Sequence, residues 1–281
     1  MIKKKLFQKL TYKFSKLTAG INLKPKELNI GENQKCLCLS PHADDESIGM
    51  GGVLSLFANN FEVILLTDGR KGIKDKSVEE VIKIRENEFI NAMKIAGINE
   101  YNFLYAEDKK LLDSFDLFKT YLNRNTPHPN HPPSFFDTQS KKAESFPQGR
   151  EGATQKSTSV LEKYDYIFVP NIIDQHPDHK AVSLLLQRLL DKNIKIKPDL
   201  QICFYEVWST LGMVNSFVDI TEVIEKKKLM INCYQSQTAQ KDYEYYALGL
   251  NQYRGMFKDK KYVEAFCVLS VDEFKKICEL Y

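Results

Sequence analysis

Two short runs carry side chains that can bind a metal and move protons: Pro41-His-Ala-Asp-Asp-Glu46 and Asp174-Gln-His-Pro-Asp-His179. A catalytic zinc centre needs three protein ligands and an open position for water. His42 and Asp45 stand three residues apart at a strand-to-helix turn, so both can face one ion, and His179 adds a ligand from the second run. A zinc ion so held would lower the pKa of its water towards about 7 and polarise a carbonyl oxygen. Asp44 is then expected to accept the water's proton. His176 is expected to stabilise an oxyanion and protonate a leaving amine, with Asp178 orienting that imidazole. Either run alone is ordinary: an HxxH at a helix start is commonly surface polarity, and an Asp-Asp-Glu run suits the positive end of a helix. Their occurrence together at two equivalent positions is what points to metal-assisted hydrolysis.

Those positions are strand ends. Lys35 to Ser40 is a short apolar run that fits a buried strand, and a helical pattern follows from Glu46 to Asn59. Phe61 to Thr67 reads as a second strand, and Ser77 to Gly97 as a long helix closed by a glycine. Tyr101 to Tyr105 and Tyr164 to Asn171 are further strands, with helices expected around Asp113 to Asn123 and from Asp178 to Lys192. Strands alternating with helices predict parallel βαβ units and a doubly wound α/β fold: one domain with a mostly parallel sheet and helices on both faces. In such sheets ligands bind beyond the carboxyl ends of the strands, at a topological switch point. Two clusters about 135 residues apart can therefore meet in one crevice. Later in the chain, Ile202 to Val207 and Glu264 to Leu269 add strands, and Thr221 to Gln235 reads as helix.

Residues 124–159 depart from this pattern. They hold five of the ten prolines and no sustained periodicity, the composition of an exposed or disordered insertion. Inside it His128-Pro-Asn-His131 repeats the HPxH spacing, but no strand precedes it and no helix follows, so it is expected to be a decoy.

Residues 1–33 are read as a tail and connector ahead of a domain spanning 34–281. Ile2, Leu6, Leu10, Phe14 and Leu17 recur at spacings of four and three beside a lysine-rich face without acids, a pattern of helices that lie on anionic membrane surfaces. Six of the 40 basic residues fall in 1–20, leaving 34 bases against 37 acids elsewhere. A nucleic-acid partner is therefore not expected, because its binding would call for a basic folded surface. No stretch has the apolar length of a membrane span, residues 1–20 lack the features of a secretory signal, and six scattered cysteines without a CxxC pair fit a reducing compartment. The expectation is a cytoplasmic protein, with peripheral contact to the inner face of the membrane through residues 1–20. Cys36 and Cys38 share one side of a buried strand and are read as packing.

The PHADDE and HPDH residues at 41–46 and 176–179 resemble the signature pair of the PIG-L/LmbE-like zinc deacetylase family. The likeness extends to Leu66-Thr-Asp-Gly69, Arg85-Glu-Asn-Glu88 with Ala92, Tyr205-Glu-Val-Trp208, Tyr234-Gln-Ser-Gln237 and Tyr253-Arg-Gly255. It covers residues 35–123 and 160–270, and departs at Ala43, where the family usually has proline. The resemblance implies hydrolysis of the N-acetyl group of an N-acetylglucosamine-type conjugate on a Rossmann-like fold, with one zinc ion. It implies His42, Asp45 and His179 as metal ligands, Asp44 as base, His176 on the oxyanion and Arg85 reaching the substrate.

Arg85 also has a purely local reading, a pair with Glu88 on one helix face. Trp208, the only tryptophan, is either a platform for a sugar ring or a core filler. Ser236 and Gln237 match the family without an evident role. Two other functions use similar residues. A phosphoesterase would want more carboxylates to hold a second metal, and a non-catalytic sugar-binding relative would be expected to lose Asp44 and His176. The substrate could be a nucleotide sugar, a lipid-linked sugar or a glucosamine-containing thiol precursor.

Overall fold

Residues Cys36–Ser40 and Phe61–Thr67 are buried at every position in the computed structural model, as strands covered by helices on both faces must be. The structure describes residues 24–122, 160–192 and 194–281. In chain order the elements are β1 (Lys26–Glu27), β2 (Cys36–Ser40), α1 (Asp45–Leu56), β3 (Phe61–Thr67), α2 (Val78–Ala96), β4 (Glu100–Ala106) and α3 (Phe115–Leu122). Then come β5 (Tyr166–Pro170), α4 (Pro177–Leu190), β6 (Gln201–Tyr205), β7 (Ser216–Asp219), α5 (Ile224–Asn232), α6 (Gln235–Thr238), α7 (Tyr243–Gly255), β8 (Val263–Ser270) and α8 (Val271–Cys278). The tail 1–20, the insertion and the His128/His131 pair lie outside the described residues.

The strands form one sheet in the order β1-β7-β8-β6-β5-β2-β3-β4. Strand β2 is parallel to β3 on one side and to β5 on the other, and β8 alone runs antiparallel to its neighbours β6 and β7. The chain therefore steps outward from β2 to β4, then crosses back to β5 and continues outward to β6. Between β2 and β5 lies the switch point, and the two runs of His and Asp leave the sheet there.

Alternation along β2 sends Leu37 and Leu39 to one face, among Val182, Leu186 and Phe118, and Cys36 and Cys38 to the other, among Val53, Phe89 and Met230. The cysteines are fully buried, and burial pushes both thiols up, so they pack and do not react.

Helix α2 shows why its ends were readable: Ser77 and Glu80 form a reciprocal capping box, and Gly97 closes the helix at φ 86°. The expected helix 221–235 is instead a short 3-10 turn followed by α5 and α6, broken at Cys233 and Tyr234. Four elements were not anticipated: β1, β7, α7 and α8. β1 is two exposed residues inside the expected connector, paired with β7, and neither strand is long enough to show alternation. α7 is rich in tyrosine with little sidedness, whereas α8 did carry a signal, the Ser270/Glu273 capping box.

Helix α1 breaks its hydrogen-bond ladder at Met50 (φ −147°, ψ 25°). Glu264 of β8 enters the break and accepts from the amides of Gly52 (2.9 Å) and Val53 (2.8 Å). Lys227 of α5 neutralises it at 2.6 Å, with both side chains fully buried. Removing one member leaves a buried uncompensated charge, which costs about 3–5 kcal/mol. Lys227→Met is therefore expected to lower the unfolding free energy by that amount, read as a lower urea midpoint at unchanged slope, while a surface control such as Lys228→Met stays close to the parent. An unchanged midpoint for Lys227→Met would show that the pair does not brace α1.

Candidate active site

Asp44, the residue just before α1, has φ 137° and ψ −31°. A backbone so far into positive φ costs a non-glycine residue about 1–3 kcal/mol, and such strain persists only where its surroundings over-determine it. The surroundings here are specific. Arg85 of α2, buried, bonds the Ala43 carbonyl and the Asp44 carboxylate through Nη2 (3.2 Å to Oδ2). Glu46, also buried, accepts from Ser40 Oγ (3.0 Å), Ser47 Oγ (2.7 Å) and Tyr234 Oη. Gly49 lets Tyr205 approach; a Cβ there would sit 2.5 Å from its ring. The strained turn aims adjacent carboxylates in different directions, Asp44 towards Arg85 and Asp45 towards the histidines.

Asp45 Oδ2 lies 3.0 Å from His42 Nδ1 and 3.1 Å from His179 Nε2. The three expected metal ligands thus converge on one carboxylate oxygen. Burial alone would raise the Asp45 pKa, but the facing His179 and His42 outweigh it and hold the carboxyl well below the usual range. His179 is buried, and its Nδ1 lies 3.3 Å from Asp174. Neither ring nitrogen makes a well-aligned hydrogen bond. Burial opposes the charged form of His179, yet Asp45 and Asp174 prevail and lift its pKa to about 9. A buried imidazole between carboxylates, with its nitrogens unsatisfied, is a donor set suited to a divalent metal such as zinc.

His176 occupies the N-cap of α4. Its Nδ1 accepts from the Asp178 amide at 3.3 Å, which assigns the ring proton of the neutral imidazole to Nε2. Burial, then the nearby His42 and His179, lower its pKa and favour that neutral form. Its ring stands 4.5 Å from that of His42 and 4.9 Å from that of His179. Nitrogens of the three histidines lie within 4.8 Å of one another, so His176 borders the same space as the expected ligands.

Asp178 is not where the sequence reading put it. Its backbone amide, and not its carboxylate, meets His176. The carboxylate accepts from the amides of Lys109 (2.7 Å) and Leu111 (3.2 Å) and lies 3.1 Å from His42 Nε2. The reason is its place in the first turn of α4, beside the loop that follows β4. Asp108 at that strand end joins it, 3.6 Å from His42 Nε2. Sequence reading missed Asp108, although the strand-end rule that found the other clusters applies equally to β4. The same carboxylates hold loop amides, the Asp108 side chain accepting from Lys71 (3.1 Å). They hold His42 from behind, as a carboxylate beyond a ligating histidine fixes its ring. Burial lowers the His42 pKa, but Asp108, Asp178 and Asp45 together raise it well above the ordinary value.

Asp44 differs from all of these. Burial, helped by the neighbouring Asp45, pushes its pKa up to about 7 against the pull of Arg85. A cation bound between the ligands would draw it down again.

His42, Asp44, Asp45, Arg85, Asp108 and His176 line a cleft of ≈ 600 Å³ that also includes Gly69, Lys71, Trp208, Gln237 and Tyr243, with His179 buried beneath it. Trp208 is 47% exposed at its rim, which removes the core-filling reading. Arg85 lines the cleft and also makes the local pair with Glu88 (3.2 Å). Ser236 and Gln237 gain a role: Ser236 donates to Glu88 through N and Oγ (2.7 Å each), and Gln237 bonds the Gly72 carbonyl (3.0 Å). They tie α2 and the 69–72 loop to the wall of the cleft.

The family model described as PIG-L, GlcNAc-PI de-N-acetylase, matches residues 37–190, which include both clusters. The chain belongs to this family. A stretch of 103 residues is 33% identical to the diacetylchitobiose deacetylase of Thermococcus kodakarensis, covering 35% of this chain and only 38% of that protein. Among solved structures, the N,N′-diacetylchitobiose deacetylase of Pyrococcus horikoshii superposes with a TM-score of 0.62 over 85% of this chain and 84% of that one, at 21% identity. The 4-carboxy-2-hydroxymuconate hydratase GalB of Pseudomonas putida superposes with a TM-score of 0.55 over 84% and 96%, at 17% identity. At these identities the structural likenesses show the fold. One of these folds carries a hydratase, so the activity of this PIG-L family member has to be argued from its site.

Proposed function

We propose that this protein is a metal-dependent hydrolase that removes the N-acetyl group from an N-acetylglucosamine-type conjugate. The observation that carries it is the pairing of a strained, separately held Asp44 with the His42–Asp45–His179 cluster at the switch-point cleft. The first lacks a ligand's surroundings and the second has them. Deacetylase relatives of the same family support the choice of an acetamido sugar.

A zinc ion on His42, Asp45 and His179 would supply Lewis acidity to the attacking water and the amide carbonyl. The side chains do the rest. Asp44 accepts a proton from water as its oxygen bonds to the carbonyl carbon. His176, neutral with its proton on Nε2, donates a hydrogen bond to the oxygen on which charge develops. As the C–N bond breaks, the proton taken up by Asp44 passes to the nitrogen, and acetate and the free amine leave. Arg85 keeps the Asp44 carboxylate in place throughout, and Asp178 with Asp108 fixes the His42 ring.

The test is acetate release by the purified protein from an N-acetylated nucleotide sugar, a lipid-linked N-acetylglucosamine and an N-acetylglucosaminyl thiol precursor, with and without a chelator. Chelator-sensitive acetate release from at least one is expected. Phosphate release from phosphoesters without any acetate release would replace this reading with the phosphoesterase one.

A further inference from the structure

Behind Trp208 the cleft opens into a second groove of ≈ 760 Å³, and Trp208 and Tyr243 line both spaces. Their rings meet edge-to-face at 5.5 Å, forming a shared wall. Lys241 stands over this wall, its Nζ 4.5 Å from the Trp208 ring centre, 5.8 Å from Tyr243 and 5.1 Å from Tyr246. Among the described residues no carboxylate lies within 4.0 Å of it, in contrast to the groove's own acid. Glu206 is buried and neutralised by a two-point pair with Arg254 (3.1 Å for one contact), and its Oε1 also accepts the Leu211 amide at 2.6 Å. The groove therefore carries one cation without a counter-charge, set among exposed aromatic faces, and no active acid to balance it.

We propose that this groove is a subsite for the part of the substrate beyond the acetamido sugar, and that it selects an anionic substituent there. A sugar face rests on Trp208, and a phosphate or carboxylate oxygen takes the Lys241 ammonium. Aromatic faces suit the apolar side of a ring, and a lysine ammonium suits an anion as a compact point charge. The inference rests on the proposed deacetylation only in placing the acetamido group beside Asp44; binding in the groove is separate.

Trp208 is the only tryptophan, so intrinsic tryptophan fluorescence reports binding against this shared wall, and dependence on Lys241, which lines only the groove, assigns the binding to the groove. The experiment titrates the full-length protein with N-acetylglucosamine 1-phosphate, with N-acetylglucosamine linked to glucuronate, with the neutral methyl glycoside and with inorganic phosphate. At least one anionic sugar is expected to bind about tenfold more tightly than the methyl glycoside, the strength of a hydrogen bond to a charged group. Which one does so tells phosphate from carboxylate. Lys241→Met is expected to erase that ratio and Lys241→Arg to keep it. Equal affinities in the parent protein, a ratio that survives Lys241→Met, or an equal response to inorganic phosphate alone would overturn the subsite. Acetate release measured on the same ligands separates the two readings. A Lys241-dependent fluorescence ratio without acetate release would leave the subsite standing and remove the deacetylase. Acetate release without that ratio would do the reverse.

Discussion

Asp44→Asn is expected to retain bound metal while losing about 10²–10⁴-fold in kcat, the usual contribution of a positioned general base. The substitution keeps the size of the side chain and removes only the proton acceptor. Nothing in the geometry makes Asp44 a ligand: its carboxylate pairs with Arg85 Nη2 at 3.2 Å, and the strained backbone turns it away from the histidines. Asp45→Asn should behave in the opposite way. Its Oδ2 is the atom shared by His42 and His179, so weakening it lowers metal occupancy before any catalytic step is reached. Metal content by elemental analysis and kcat on the same preparations decide between them. If Asp44→Asn empties the site and Asp45→Asn leaves it full, the roles of the two aspartates are exchanged.

That neighbouring aspartates can be told apart shows where sequence and structure divide the work. The clusters, their strand ends and their convergence were legible, because strand-helix alternation fixes which ends of a parallel sheet face the ligand. The long helix was legible to its caps, because Ser77, Glu80 and Gly97 are local signals. The partner of Asp178 was not. Sequence offered His176 two residues away, but a first-turn helical side chain and that of the N-cap residue two positions earlier point differently, and the β4 loop brought its amides to the carboxylate instead. The tautomer of His176 follows from the same fact, being set by a backbone amide that no spacing reveals.

The remaining matched segments are scaffolding that only three dimensions explain. Glu206 and Arg254, 48 residues apart, lock to each other, and Ser236 with Gln237 closes on Glu88 and Gly72. They hold the two walls between which Trp208 is exposed. A tryptophan placed in such a run reads as core when the partners of its neighbours are unknown.

Metal binding itself should depend steeply on pH, and the sign follows from the histidines. In the metal-free protein the carboxylates around His42 raise its pKa against burial, and those around His179 lift it to about 9. Both shifts favour protonated rings at neutral pH, and only neutral imidazole ligates a metal, so binding must work against those protons. Apparent zinc affinity is therefore expected to rise with pH, by about tenfold per unit for each proton displaced. The His179 share of that rise should end above about pH 9, where its ring is already neutral. Asp45 adds no proton to the count, since its carboxyl stays ionised throughout. Chelation should abolish acetate release and added zinc restore it, with more zinc needed at about pH 6 than at about pH 8. Competition titration against a chromophoric chelator across this range, with proton release followed by calorimetry in two buffers, measures both slope and stoichiometry. Zinc affinity independent of pH would mean that the histidines are neutral before the metal arrives, and that the carboxylates behind them orient the rings without charging them.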